Sequence, residues 1–104
     1  RNLGDQFLEG FREMKSRHPL IGDVRGLGLF LGVELVRDHS SLEPADTEAS
    51  AVIDAMRDRG FLLSTDGPLH NVLKIKPPMV LTAADVSAVV KNIDEVLTEI
   101  ETTT

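Results

Sequence analysis

The sequence of 104 residues lacks several residue types on which common functions depend. It has no cysteine, which excludes disulfides, thiolate metal sites and a cysteine nucleophile. It has neither tyrosine nor tryptophan to stack on bases, and its formal charge of −6 repels a nucleic-acid backbone. Gly32, Glu34 and Arg37 interrupt the longest apolar stretch, which falls short of the roughly 20 residues that span a bilayer. These absences argue against nucleic acid and membrane as partners.

The remaining composition is typical of one globular domain. Apolar residues make up 41% of the chain and charged residues 27%, which is the usual balance for a sequence that folds. The chain begins at Arg1, inside a predicted helix and without a signal peptide. We therefore expect it to be a fragment of a longer protein. We expect that protein to be cytoplasmic.

Apolar spacing predicts three helices. The first covers residues 2–17 and ends before Pro19, and the second runs from a cap at Asp46 or Thr47 to a stop at Gly60. The third follows Thr82, which begins a capping box with Asp85. Its apolar stripe consists of Val86, Val89, Val90, Ile93, Val96, Leu97 and Ile100.

Shorter apolar runs between the helices predict strands. They cover residues 21–25, 27–36, 61–64 and 72–76, separated by a polar loop at 37–43 and a turn at 65–71. We expect the last two strands to pair. The chain is therefore predicted to have an α+β fold, with a three- to four-stranded, mostly antiparallel sheet and helices packed on one face.

Several patterns that suggest chemistry are better explained by structure. Gly26-Leu-Gly28 lacks the third glycine at the spacing of a dinucleotide loop, and a strand follows it where that motif needs a helix. The histidines His18, His39 and His70 share no metal-ligand spacing, so we place them on the surface or in turns and predict no metal site. Asp94 is interpreted as part of a solvated helix face.

Lys74 and Lys76 are the candidate binding residues. Strand alternation places both on one face, roughly 7 Å apart, just before Pro77 and Pro78. Two ammonium groups in this arrangement suit an anion such as phosphate or carboxylate. The alternative is that they form a solvated outer face of the sheet. The pattern alone does not decide between the two.

Two segments are similar to class III aminotransferases. Residues 18–36 read HPLIGDVRGLGLFLGVELV and resemble the family's VRGxGLxxGxEL segment. Residues 71–82 read NVLKIKPPMVLT and resemble its R-F-x-P-P-L segment. The two segments occur in the family's order and precede the same final helix, so the resemblance covers essentially the whole chain.

The resemblance implies that residues 1–104 are the C-terminal small domain of a homodimeric pyridoxal-phosphate enzyme of fold type I. The Schiff-base lysine, the acidic partner of the pyridine nitrogen and most of the phosphate cup would belong to a large domain of the same polypeptide. We therefore expect no catalytic or cofactor-binding residue in this chain and no pyridoxal phosphate bound to it alone. We also expect Phe7, Phe11, Leu27 and Leu29 to form an exposed apolar surface toward that large domain.

One departure from the family pattern concerns the substrate. The arginine that grips an α-carboxylate in many members aligns with Lys74, which replaces a planar fork with a point charge. Residues 63–79 are especially similar to the branch of ethanolamine-phosphate phospho-lyases, which implies a phosphorylated amine as substrate. The alternatives are a true aminotransferase acting on an amino acid or amine, and a noncatalytic interaction module that reuses this domain.

Overall fold

A computed structural model describes residues 3–27, 30–66, 69, 71–75 and 83–102. Within these residues, three helices and five strands follow one another. They are α1 (Leu3–Lys15), β1 (Ile21–Leu27), β2 (Phe30–Asp38), β3 (Glu43–Pro44), α2 (Asp46–Asp58), β4 (Ser64–Asp66), β5 (Val72–Ile75) and α3 (Ala83–Thr102).

The strands form an antiparallel sheet in the order β1-β2-β5-β4, and β3 pairs with the far end of β2. The predicted α+β fold with an antiparallel sheet is confirmed. Among the described residues the sheet has five strands, not three or four, because the two-residue β3 adds to the edge of β2. As a result β2 continues through Arg37 to Asp38, where the sequence predicted a loop.

Strand alternation divides the sheet into an inner and an outer face. Leu31, Val33 and Leu35 of β2 and Leu73 and Ile75 of β5 point inward and join one hydrophobic core. Helices α1 and α2 contact the strands, and α3 packs on both of these helices. The helices therefore lie on one face, as predicted, and the face opposite the core carries the intervening residues of each strand.

Helix α2 ends as predicted and begins differently. Gly60 has a φ of +94°, and its N–H donates to the Arg57 carbonyl at 3.0 Å while the Phe61 N–H reaches the Met56 carbonyl at 2.9 Å. Because Phe61 takes part in this helix end, the next strand, β4, begins at Ser64 and not at residue 61 as predicted. At the other end the predicted side-chain cap is wrong. Ala45 is the N-cap and has no capping side-chain bond.

The predicted exposed apolar surface is wrong for α1. Phe7 and Phe11 are 2% and 0% exposed, and their rings stack at 5.9 Å. Together with Met14 they form the inward stripe of α1, so the core of this chain already buries them. Leu29 and the side chain of Leu27 lie outside the described residues.

His18 is a second correction, because it is a buried residue and not a surface one. Its side chain is 4% exposed, and both ring nitrogens face carboxylates of α3. Nε2 contacts Asp94 and Nδ1 lies 2.6 Å from Glu101 Oε1. Glu101 also accepts the Leu20 N–H at 3.3 Å, and Arg17 lies 3.6 Å from Asp94. The carboxylates thus fasten the turn after α1 to the last helix.

The two carboxylates determine the charge of His18. Ionised carboxylates only accept hydrogen bonds, so both ring nitrogens must carry a proton to satisfy them. Burial alone would lower the pKa of His18, but the hydrogen bonds to Asp94 and Glu101 outweigh it and raise the pKa above the usual 6.5. His18 is therefore held as a buried imidazolium.

We predict that His18 makes the free energy of unfolding depend on pH. Its raised pKa gives a stabilising contribution that is complete below pH 6.5 and is lost as the pH rises through the folded-state pKa. His18→Gln should cost roughly 2–4 kcal/mol at pH 6 and flatten this decline. Urea unfolding from pH 6 to 9 measures both effects. His39→Gln is the control, since His39 is exposed. Parallel curves for the wild type and His18→Gln would contradict the assignment.

A second prediction compares two glycines of β1. A Cβ added at Gly22 would lie 2.9 Å from a Val36 methyl, whereas one at Gly26 would meet nothing within 4 Å. Valine is stiff and Val36 is 1% exposed, so Gly22→Ala should destabilise the chain by about 1–3 kcal/mol. Gly26→Ala should be neutral or slightly stabilising. Thermal unfolding of both variants tests this prediction. Equal melting temperatures would show that the Val36 side chain moves to accommodate the added methyl group.

Candidate functional site

Lys74 lies in a row of four residues that crosses the outer face of the sheet. Antiparallel register places it opposite Gly32 on one side and Ser64 on the other, and Gly32 in turn faces Arg25. We call Arg25, Gly32, Lys74 and Ser64 the Lys74 row. Its members lie on the face opposite the core, since Leu31 and Val33 flank Gly32 and Leu73 and Ile75 flank Lys74.

Of the two candidate lysines, only Lys74 lies among the described residues. It is half-buried in β5, with a neighbouring strand on each side, and its predicted role in binding stays a prediction. Lys76 lies outside the described residues, as do Pro77 and Pro78. The predicted pairing of Lys74 with Lys76 therefore stays a prediction.

The Lys74 row combines cations with a small and a hydroxyl residue. Arg25 contributes the second cation, and its Nη1 donates to Asp23 Oδ2 at 2.8 Å. Both of these side chains are nearly half exposed. The next row along the sheet is acidic, because Asp23 lies opposite Glu34, whose other neighbour is Val72. The outer face is therefore polar and carries cations and carboxylates in adjacent rows.

Two grooves lie elsewhere on the molecule. One, of about 310 Å³, is lined by Pro19, Leu20, Val36, Arg37, Glu48, Ile100 and Glu101. The other, of about 330 Å³, lies between α1 and α3 and is lined by Gln6, Gly10, Val86, Ser87, Val90, Lys91 and Asp94. Neither includes Lys74, so the candidate binding residue lies on the sheet surface and not in these grooves.

The charged wall of the first groove is an ion-pair cluster at the start of α2. Arg37 lies 3.0–3.2 Å from carboxylates of Glu43, Asp46 and Glu48. Its hydrogen bonds to Glu48 hold the pKa of that carboxyl below its usual value. The Arg37 guanidinium of β2 thus pairs with one acid of β3 and two acids of α2. The cluster therefore connects β2 to the start of α2.

Among the described lysines, Lys15 and Lys91 are exposed and Lys74 is half-buried. Lys91 lines the second groove but is exposed on α3. Among the described residues no group of His, Cys, Asp or Glu is arranged to hold a metal ion. Nor does any helix in the described part of the chain have the length and apolar character needed to cross a membrane.

Comparison with known proteins supports the resemblance seen in the sequence. The family model for class-III aminotransferases matches residues 1–97. Taurine–pyruvate aminotransferase of Bilophila wadsworthia is 38% identical over 95% of this chain. Ethanolamine-phosphate phospho-lyase homolog 1 of Caenorhabditis elegans is 40% identical over 94% of it. The chain covers 23% and 21% of these two relatives, which are therefore several times longer.

Solved structures share the fold. A phospholyase from Arthrobacter in complex with phosphoethanolamine superimposes with a TM-score of 0.84 at 32% identity, over 92% of this chain and 23% of that one. A Bacillus anthracis aminotransferase gives a TM-score of 0.81 at 31% identity, over 92% of this chain and 22% of that one. With the family match over nearly its whole length, the chain belongs to the class III aminotransferase family.

Proposed function

We propose that this chain is the C-terminal small domain of a pyridoxal-phosphate enzyme and closes its active site over an amine substrate that carries an anionic group. The observation that carries this proposal is the position of Lys74 on the polar outer face of the sheet, opposite the helices. A large domain of the same polypeptide would approach this face and hold the cofactor, which supplies the electron sink for the reaction. Consistent with this division, the relatives are about four times as long as this chain.

The role proposed for Lys74 is binding and selection. Its ammonium provides a point charge with three donors, which suits the tetrahedral oxygens of a phosphate better than the planar edge of a carboxylate. Neighbouring strands on both sides limit the backbone freedom of β5 and hold the Lys74 Cα in place. The chain thus contributes substrate recognition, while the reacting atoms would lie on the cofactor side.

Phosphate elimination from a phosphorylated amine is the preferred reaction. Supporting it are the similarity to the phospho-lyase homolog of C. elegans and to the Arthrobacter phospholyase with phosphoethanolamine. Transamination is the second candidate, supported by the similarity to taurine–pyruvate aminotransferase. Taurine and phosphoethanolamine are both short amines with a tetrahedral anionic group, so the same cation suits either. We place the parent enzyme in the cytoplasm, and we expect it to be a homodimer, as the sequence resemblance implies.

Removing the Lys74 charge from the complete enzyme should reduce selection for the anionic substrate. One charge-assisted contact contributes about 1.5–3 kcal/mol, so Lys74→Ala should lower kcat/KM for a phosphorylated amine by roughly ten- to a hundredfold. Lys74→Arg restores a fork and should improve handling of α-amino acids relative to the phosphorylated amine. Steady-state kinetics with both substrate classes measures the change.

Lys91→Ala is the matched control, because Lys91 is an exposed lysine on α3. Circular dichroism and cofactor occupancy exclude misfolding. Unchanged specificity constants for Lys74→Ala would mean that Lys74 is only a solvated residue of the strand. The proposed function would then lose its main support.

The isolated chain should not form an internal aldimine with pyridoxal phosphate. Lys15 and Lys91 are exposed and Lys74 is only half-buried, so none of the described lysines is enclosed in the kind of pocket that favours an internal aldimine. Incubation with the cofactor, borohydride reduction and mass spectrometry should show only scattered, substoichiometric labelling. Stoichiometric labelling of a single lysine would contradict the proposed division between the two domains.

A further inference from the structure

We propose that the last turn of α3, residues 98–102, is a pH-sensitive strap that detaches from the turn after α1 when His18 loses its proton. We call these residues the α3 strap. In this structure the strap is attached through Glu101. His18 Nδ1 lies 2.6 Å from Glu101 Oε1, and the Leu20 N–H donates to Glu101 Oε2 at 3.3 Å. Opening of the strap does not involve Lys74 and is independent of the proposed function.

The proton on the His18 ring decides whether both carboxylates can be bonded at once. The imidazolium donates from both nitrogens, one to Asp94 and one to Glu101. A neutral imidazole has one N–H and one lone pair, so one carboxylate would then face a lone pair at hydrogen-bond distance. Because the His18 side chain is 4% exposed, water has little access to relieve this contact. One of the two carboxylates must therefore move away.

Glu101 is the carboxylate that can move. Asp94 directly follows Ile93 and comes before Leu97, and both of these side chains are fully buried in the core. It also pairs with Arg17 at 3.6 Å, so it keeps a cationic partner when His18 is neutral. Glu101 lies beyond Leu97 and next to the last residue of the helix. Displacing it therefore leaves the core contacts of α3 in place.

The composition of the α3 strap favours its release. Its last turn contains the acids Glu99 and Glu101 and no basic residue, although the C-terminus of a helix carries a partial negative charge. Its one large apolar side chain, Ile100, is only partly buried against the core. The contacts of Glu101 with His18 and Leu20 therefore hold a helix end whose own charges disfavour it.

The arginines near the strap stay charged while His18 titrates. Arg59, the C-cap of α2, donates to Glu95 at 2.8 Å and to Glu99 at 3.3 Å. These ion pairs hold α3 on the side of α2 at every pH at which its carboxylates are ionised. Opening is therefore confined to the end of the helix, on the side of His18.

Detachment of the strap would open the first groove on one side. Ile100 and Glu101 line this groove together with Leu20 and with the ion pair of Arg37 and Glu48. The hydrogen bonds of His18 to the two carboxylates raise its pKa above 6.5. The strap is therefore closed at acidic pH and opens as the pH rises through the raised pKa.

His39 is a second histidine close to this turn. Its Nε2 lies 2.6 Å from the Pro19 carbonyl oxygen, and its side chain is exposed. This contact is to the backbone of the turn and not to Glu101, so titration of His39 should leave the strap attached. The two histidines can therefore be separated by substitution.

The test is amide hydrogen exchange of the whole 104-residue chain by NMR from pH 6 to 9, expressed as protection factors that correct for the intrinsic effect of pH. Protection of the amides of Leu20 and residues 100–102 should fall by about five- to thirtyfold. The midpoint should coincide with the titration of the His18 ring in the same sample. Amides of β2 and β5 should keep protection factors above about 1,000, because global unfolding stays rare.

Three variants assign the switch to the contact between His18 and Glu101. His18→Gln should be open already at pH 6 and show no midpoint. Glu101→Gln should keep the strap closed up to pH 9, with protection constant within about twofold, because a carboxamide can donate to the neutral ring nitrogen. His39→Gln is the matched control and should open at the same pH as the wild type.

Several outcomes would overturn the strap. A midpoint that differs from the His18 titration, or one that His39→Gln removes, would assign the opening to another group. Opening of Glu101→Gln at the same pH as the wild type would show that this carboxylate is not the contact that breaks. Loss of protection in β2 and β5 together with the strap would show global unfolding in place of a local opening. If His18→Gln does not fold, Glu101→Gln alone still decides, since a merely structural role predicts a looser strap and not a closed one at pH 9.

Discussion

The alternation of β2 and β5 is the constraint on which the rest of the structure depends. These adjacent strands send Leu31, Val33, Leu73 and Ile75 into the core. A slip of one residue in β5 would bury the Lys74 ammonium and expose two core side chains, which would cost several kcal/mol. The hydrophobic core therefore fixes the register, and the register fixes which residues share the outer face. The packing of the core thus determines which residues lie at the candidate site.

Local signals made most of the fold predictable. The apolar stripe of α3, the Gly60 stop of α2 and the antiparallel pairing of the last two strands all follow from short-range patterns, and each is confirmed. The errors come from contacts between distant residues. His18 is buried because Asp94 and Glu101, more than seventy positions later, face its ring. Phe7 and Phe11 are buried because α3 and the sheet cover α1, and spacing alone does not show what covers a stripe.

The candidate site was predictable only in part, for the same reason. Lys74 could be identified because it replaces an arginine within a short family motif. Arg25 and Gly32 belong to a different motif, and only the pairing of β1 with β2 and of β2 with β5 brings them into line with Lys74. The sequence contains no local signal for that register. The glycines of the first motif were interpreted as structural, and the structure supports this for Gly22, where an added Cβ would lie 2.9 Å from a Val36 methyl.

The polarity of the outer face has a consequence for how a second domain would approach it. A permanently buried domain interface is largely apolar, but the Lys74 row and the neighbouring Asp23 and Glu34 present ionic side chains. Burying these groups without partners would cost more than the contact area returns, so they favour a hydrated contact or one completed by a ligand. An anionic substrate bound at Lys74, as proposed, would neutralise that cation and reduce the cost of bringing a second domain close. The proposed selecting charge would then also favour closure in the presence of substrate, because the empty polar face costs less to leave in water than to cover.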